Sequence, residues 1–266
     1  MRRLAPIPLL ALLFTAAATL AATAGEVRLL AAGSLTGALG EAAAAFTKAT
    51  GVPVKADFGP SGLLRERIEK GEPAEILASA DMGHPRRLVA DGRADAVIRF
   101  TGNRTCAMAK PEVGLTADNL LAKMLDPAVR LGTSTPKADP SGDYAWAVFA
   151  AADKLKPGAK AALEAKALQL VGGPTSEKIP AGKSAVPWMF ETGKADMFLA
   201  YCTTAATAKA TGIALTVVDL PADLAQIADY GMVVLKGASP EADRLALWIL
   251  SEPGQAILAK WGFAAR

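Results

Sequence analysis

From Glu26 onward, short apolar strands alternate with helices whose apolar residues recur every three or four positions, and this rhythm limits the chain to α/β architectures. Residues 26–31, 52–58 and 74–78 read as strands, and residues 35–50, 63–70 and 85–91 as the helices that follow them. In the first helix Leu35, Leu39, Ala42 and Phe46 share one face, and Gly51 stops it. After Asn103 the pattern restarts, with strands at 105–109, 129–132, 195–201, 214–220 and 230–235. Helices fall at 116–125, 144–154, 158–167, 186–192, 240–250 and 254–261. Such alternation predicts mixed, mostly parallel sheets with helices on both faces. There is no flexible linker, so two lobes joined by crossing strands are expected. Residues 25–102 with 229–266 would form one lobe and residues 103–228 the other.

The first residues have the layout of a secretory signal peptide: Arg2 and Arg3, an uncharged apolar run over 9–20, then Ala22-Thr23-Ala24. The run falls short of the roughly 20 residues that span a bilayer, which predicts cleavage after Ala24 and a periplasmic protein. Without this leader, 27 basic side chains face 26 acidic ones. A near-neutral chain has no global field for nucleic acid or a membrane surface, so any bound anion must be held by local geometry. The two cysteines, Cys106 and Cys202, fit one disulfide in an oxidising compartment or, alternatively, two buried thiols. With a single His and no close pair of cysteines, neither a metal site nor a cofactor is expected.

Four strand-to-helix turns carry candidate donors. Ala32-Gly33-Ser34-Leu35 opens the first helix, with Ser34 placed as an N-cap. Gly59-Pro60-Ser61-Gly62 repeats the same order of strand, turn residues and serine. Asp139-Pro140-Ser141-Gly142 and Gly182-Lys183-Ser184 precede helices in the second half, and a nearby strand ends at Tyr201. A lone serine at a helix start is ordinarily just a cap. Four such turns, two per lobe, suggest neutral donors converging on an acceptor-only ion.

The segment AAGSLTGAL, then FGPSGLLRERIEKGEPAEILASAD, resembles the opening of periplasmic molybdate-binding proteins. Ile68, Gly71, Pro73, Ala74, Ser79, Ala80 and Asp81 stand in that family's frame, and Glu75 replaces its usual Asp. The likeness continues through the Ser141 turn and the strand ending at Tyr201. It implies a two-lobed type II periplasmic-binding fold and capture of molybdate or tungstate by a monomer that serves an ABC permease and ATPase. It carries ligand contacts onto Ser34, Ser61, the backbone at Ser141, the backbone near Lys183 and the Tyr201 hydroxyl, with Ser184 a substitute for Lys183. Position 141 is commonly Ala in that family and position 183 commonly neutral. Another oxyanion or a small organic anion is the alternative ligand. An exported serine hydrolase is the alternative class, in which His84, the chain's one His, would have to serve Ser34 or Ser61 as base.

Overall fold

The computed structural model describes residues 25–180, 183–210 and 212–264; the leader expected over 1–24 lies outside them. The first strand, β1 (Val27–Ala32), has buried side chains on both faces, and it pairs in parallel with β2 (Val54–Gly59) and β3 (Ile76–Ser79). Helix α1 (Thr36–Thr50) crosses between β1 and β2, burying Ala38, Leu39, Ala42 and Phe46. It ends where Gly51 adopts φ +74°, a conformation costly for a residue with a Cβ. Helices α2 (Ser61–Glu69) and α3 (Gly83–Ala90) follow β2 and β3.

Strand β4 (Ile98–Ala109) joins the lobes. Its first part pairs antiparallel with β9 (Ile227–Val234), which itself lies beside β3. From Thr105 it pairs instead with β7 (Met197–Tyr201), and from Cys106 also with β8 (Thr216–Asp219). One strand thus leaves the first sheet and enters the second near Arg104. In the second sheet β5 (Leu131–Ser134) is parallel to β6 (Leu168–Val171) and to β7. Helices α4 (Leu120–Leu125), α5 (Pro140–Leu155) and α6 (Ala159–Lys166) close one face over Val148, Phe149, Leu163 and Leu199; α7 (Ala185–Glu191) and α8 (Thr203–Ala210) lie on the other. Helices α9 (Pro240–Leu250) and α10 (Glu252–Lys260) return to pack on the first lobe with Phe46 and Leu39. The parallel ladders of the βα units therefore lie outside, and antiparallel ladders appear wherever a crossing strand enters. Among the described residues no helix is long and apolar enough to cross a membrane.

Cys106 and Cys202 form a disulfide, with their Cα atoms 4.9 Å apart, so the buried-thiol alternative does not hold. It joins β4 to the residue after β7, fixing the end of the strand that carries Tyr201. Glu75 provides a second tie. One carboxylate oxygen accepts the Arg28 N–H at the start of β1 (2.9 Å) and the other accepts the Ser239 N–H just before α9 (2.8 Å). Partial burial pushes its pKa up, but the N–H groups of Ser239 and Arg28 outweigh this and hold it below the ordinary carboxylate value. A depressed folded pKa means stability that is present above the unfolded value and lost as pH falls. Replacing Glu75 by Ala should cost about 1–3 kcal/mol at neutral pH. In urea melts at several pH values, the gap between the two proteins should narrow below about pH 4.

Candidate functional site

The Ser34 turn is not the simple cap that its sequence suggests. Residues Gly33–Leu35 form a single 3-10 turn ahead of α1, and the capping position of α1 is Leu35. The turn is held locally by Thr36, whose Oγ1 donates to the Gly33 carbonyl at 2.7 Å. Ser34 Oγ is thereby left to a distant partner, the Tyr230 hydroxyl at 2.9 Å. Ser61 is the first helical residue of α2, after Pro60. Its buried Oγ accepts the Ala80 N–H at 3.2 Å. That leaves the Ser61 proton free for another acceptor.

The carbonyl of Ala80 connects the lobes by accepting the Tyr201 hydroxyl at 3.2 Å. A second cross-lobe bond runs from the Gly62 N–H to the Ala138 carbonyl at 3.0 Å. A methyl group at Gly62 would stand 2.4 Å from the Lys137 oxygen and 2.8 Å from that of Ala138, so only glycine allows this approach. Lys137 itself has φ +67°, and Asp143 Oδ1 holds its N–H at 2.9 Å. The lobes are shut against each other through these contacts.

All three tyrosines of the chain meet here. The Tyr201 ring is 5.5 Å from that of Tyr230 and 6.1 Å from that of Tyr144, both edge-on. Burial raises the pKa of all three phenols, that of Tyr144 to about 12, so each keeps its proton at neutral pH. Asn103, on the crossing part of β4, donates to the Tyr230 hydroxyl (3.2 Å) and to Thr203 Oγ1 (2.8 Å). Thr105 stands opposite Tyr201 in the ladder, hence on the same face, and its buried hydroxyl has no partner among the described residues. Sequence reasoning missed Tyr230, Asn103, Thr203 and Thr105. The available signal was that the chain has only three tyrosines, of which two end or begin strands leading into the cleft.

The remaining expected contacts are arranged differently. Ser141 lies in the first turn of α5, buried, but its N–H is taken by Asp139 Oδ1 at 3.1 Å. The Ser141 backbone donor expected from the sequence is therefore already used within its own turn. Asp139 keeps some exposed surface, yet its carboxyl lies deep among protein atoms. This poor hydration raises its pKa from 3.8 to about 6, against the lowering effect of its bonds from Ser141 and Ser134. Lys183 points outward. Its ammonium pairs with Glu191 at 2.9 Å and lies over the Trp188 ring, and its N–H donates to the Pro180 carbonyl. Ser184 precedes α7 without a side-chain capping bond. Neither joins the tyrosine cluster by a hydrogen bond. A groove of about 490 Å³ opens beside the cluster, lined by Asp81, Arg86, Asp143, Tyr144, Gln226 and Asp229.

A family model described as bacterial extracellular solute-binding protein matches residues 27–264. The chain is 37% identical over 239 residues to an uncharacterized protein of Pasteurella multocida (strain Pm70), covering 89% of this chain and 98% of that one. It is 33% identical over 133 residues to the molybdate-binding protein ModA of Azotobacter vinelandii, about half of each chain (49% and 52%). The solved periplasmic molybdate-binding protein of Azotobacter vinelandii superposes with a TM-score of 0.72 at 20% identity, over 90% of this chain and 99% of the other. The sulfate-binding protein SubI of Mycobacterium tuberculosis does so with a TM-score of 0.73 at 17% identity, over 90% and 86%. The fold is thus the two-lobed one of periplasmic binding proteins.

Asp139 gives this site a pH signature. The folded protein holds the Asp139 proton up to about pH 6, whereas the unfolded chain releases it near 3.8. Stability contributed by this group therefore falls as pH rises through that window and is level above it. Asp139→Asn keeps an oxygen for the Ser141 N–H and removes the titration. Above pH 6 the variant should be at least as stable as the parent, by up to about 2 kcal/mol, with the gap closing toward pH 4. Thermal melts across that range measure it.

Proposed function

This chain belongs to the bacterial extracellular solute-binding protein family, and we propose that it captures molybdate or tungstate for an ABC-type importer. The observation that carries this reading is that Ser61 and Tyr201 bond the two sides of Ala80 where the lobes close, while Ser34 bonds Tyr230, whose ring packs on that of Tyr201. The hydroxyls of Ser34, Ser61 and Tyr201 are neutral; Ser34 and Ser61 can each give a proton to an anion, and Tyr201 could do so by releasing the Ala80 carbonyl. Ser61 adds the N-terminal end of α2, whose dipole favours an anion. Ions without protons fit such donors. The half-length likeness to ModA supports the same choice. Within this reading residues 25–102 and 229–266 form one lobe and 103–228 the other, a monomer acts in the periplasm after loss of its leader, and a permease and ATPase receive the ion.

A second reading keeps the fold and changes the ligand to a small organic anion. The groove beside Tyr144 leaves room for a substituent. Its carboxylates, Asp81, Asp143 and Asp229, favour a hydroxyl-bearing tail over a second acidic group. The hydrolase alternative gains no support: His84 lies 4.0 Å from Asp81, while Ser34 bonds Tyr230 and Ser61 bonds Ala80.

Calorimetric titration of the mature protein should give micromolar or tighter binding of molybdate and tungstate and much weaker binding of sulfate. Sulfate binding as tight as molybdate would contradict the assignment. Ser34→Ala with Ser61→Ala should weaken molybdate at least about a hundredfold, since each removes a hydrogen bond to a charged group. Gly62→Ala should weaken binding, because the added methyl obstructs the shut arrangement in which the Gly62 N–H meets the Ala138 carbonyl.

A further inference from the structure

Strand β4 changes sheets at Arg104: residues up to Arg104 pair with β9, and those from Thr105 pair with β7. Two ties meet at this crossing. The Cys202 N–H donates to the Arg104 carbonyl at 2.8 Å, and the Cys202 sulfur is bonded to that of Cys106, further along β4. Between them lies the last rung of the ladder, Thr105 opposite Tyr201. An end rung opens most readily, because it has a neighbour on one side only. The bridge closes that end covalently, on the sheet face opposite the Tyr201 ring, since consecutive strand residues point to opposite faces. Tyr201 is thereby held through its backbone while its hydroxyl reaches Ala80 in the other lobe. Thr203, next after the bridge, accepts from Asn103, next before the crossing. Cys106 is buried and Cys202 half-buried, so an incoming thiolate meets the Cys202 sulfur first.

We infer that Cys106 and Cys202 are positioning residues for Tyr201 at the crossing between the lobes, so that the oxidised protein holds its anion more tightly than the reduced one. This rests on the oxyanion reading above and deepens it by placing the site under redox control. Reduction by a thiol such as glutathione is a two-electron exchange. The glutathione thiolate attacks Cys202 Sγ, the S–S bond breaks, and Cys106 leaves with the bonding pair and takes up a proton. A second glutathione attacks the mixed disulfide and frees Cys202 as its thiol, and the two glutathiones end as one glutathione disulfide. The last rung of the ladder can then open. The Tyr201 phenol loses its fixed approach to the cleft, and its contribution to anion binding falls.

The test is calorimetry with tungstate on the oxidised protein and on a Cys106→Ala, Cys202→Ala variant, which needs no reductant in the cell. Loss of the bridge should weaken tungstate binding about five- to tenfold, the worth of roughly one hydrogen bond. In a Tyr201→Phe background the same loss should cost less than about twofold, since its effect passes through the phenol. A bridge that only stabilised the fold would act alike in both backgrounds. Linkage supplies a second readout on the unaltered chain. In a glutathione buffer, saturating tungstate should raise the ratio of squared glutathione to glutathione disulfide concentration that reduces half of the bridges, by the same factor of about five to ten. Tyr201→Phe should remove that shift. Equal costs in the two backgrounds, no cost in the parent, a glutathione titration that tungstate leaves unmoved, or a bridgeless variant whose near-ultraviolet circular dichroism shows it unfolded would overturn the inference while leaving the oxyanion reading in place. Oxidised protein that binds none of tungstate, molybdate and sulfate would overturn both.

Discussion

The backbone of Ala80 is the point on which the site depends. Its N–H goes to Ser61 at the start of α2, and its carbonyl receives the phenol of Tyr201 from the opposite lobe. Both bonds are buried, and a buried polar group left without a partner costs on the order of 1–3 kcal/mol. The end of β3 is therefore held in one place, and it holds a donor from each lobe with it. The neighbouring Asp81 carbonyl accepts the Gly231 N–H, which ties β9, and with it Tyr230, to the same spot. Closure of the lobes and assembly of the donors are one event.

Neutral donors inside an acidic mouth form a coherent arrangement. Asp229 is paired with Arg99 at 2.6 Å, Asp143 receives the Lys137 N–H, and Asp81 lies beside His84 and accepts from Ser79. These carboxylates hold the loops that form the rim, and their charge is partly compensated there. Deeper in, the phenols of Tyr144, Tyr201 and Tyr230 all keep their protons, so the tyrosine cluster itself carries no formal charge. An ion held by dipoles rather than by a countercharge can be released when the lobes separate, because each bond is lost without leaving a buried charge behind.

Much of this was legible in the sequence because it is local. The βα rhythm, the turns bearing Ser34, Ser61 and Ser141 and the strand that ends at Tyr201 depend on residues close together in the chain. What was not legible is long-range. Ser34 meets Tyr230 across 196 positions and Asn103 meets Tyr230 across 127, and no periodicity encodes such pairings. Asn103 falls outside the strands read from the sequence, yet it lies in the middle of a twelve-residue strand whose register is set by β9. For Lys183 the sequence offers the backbone as a contact, and in the structure its N–H goes to the Pro180 carbonyl while its ammonium pairs with Glu191.

The central claim is that one tetrahedral anion is enclosed between Ser34, Ser61 and Tyr201. A crystal of the mature protein grown with tungstate tests it most directly, because the anomalous signal of tungsten locates the ion independently of the protein map. The account predicts a single strong peak within hydrogen-bond reach of those three hydroxyls, with the lobes shut around it. A peak at the outer groove, at a surface lysine, or no ordered peak at saturating tungstate would contradict it.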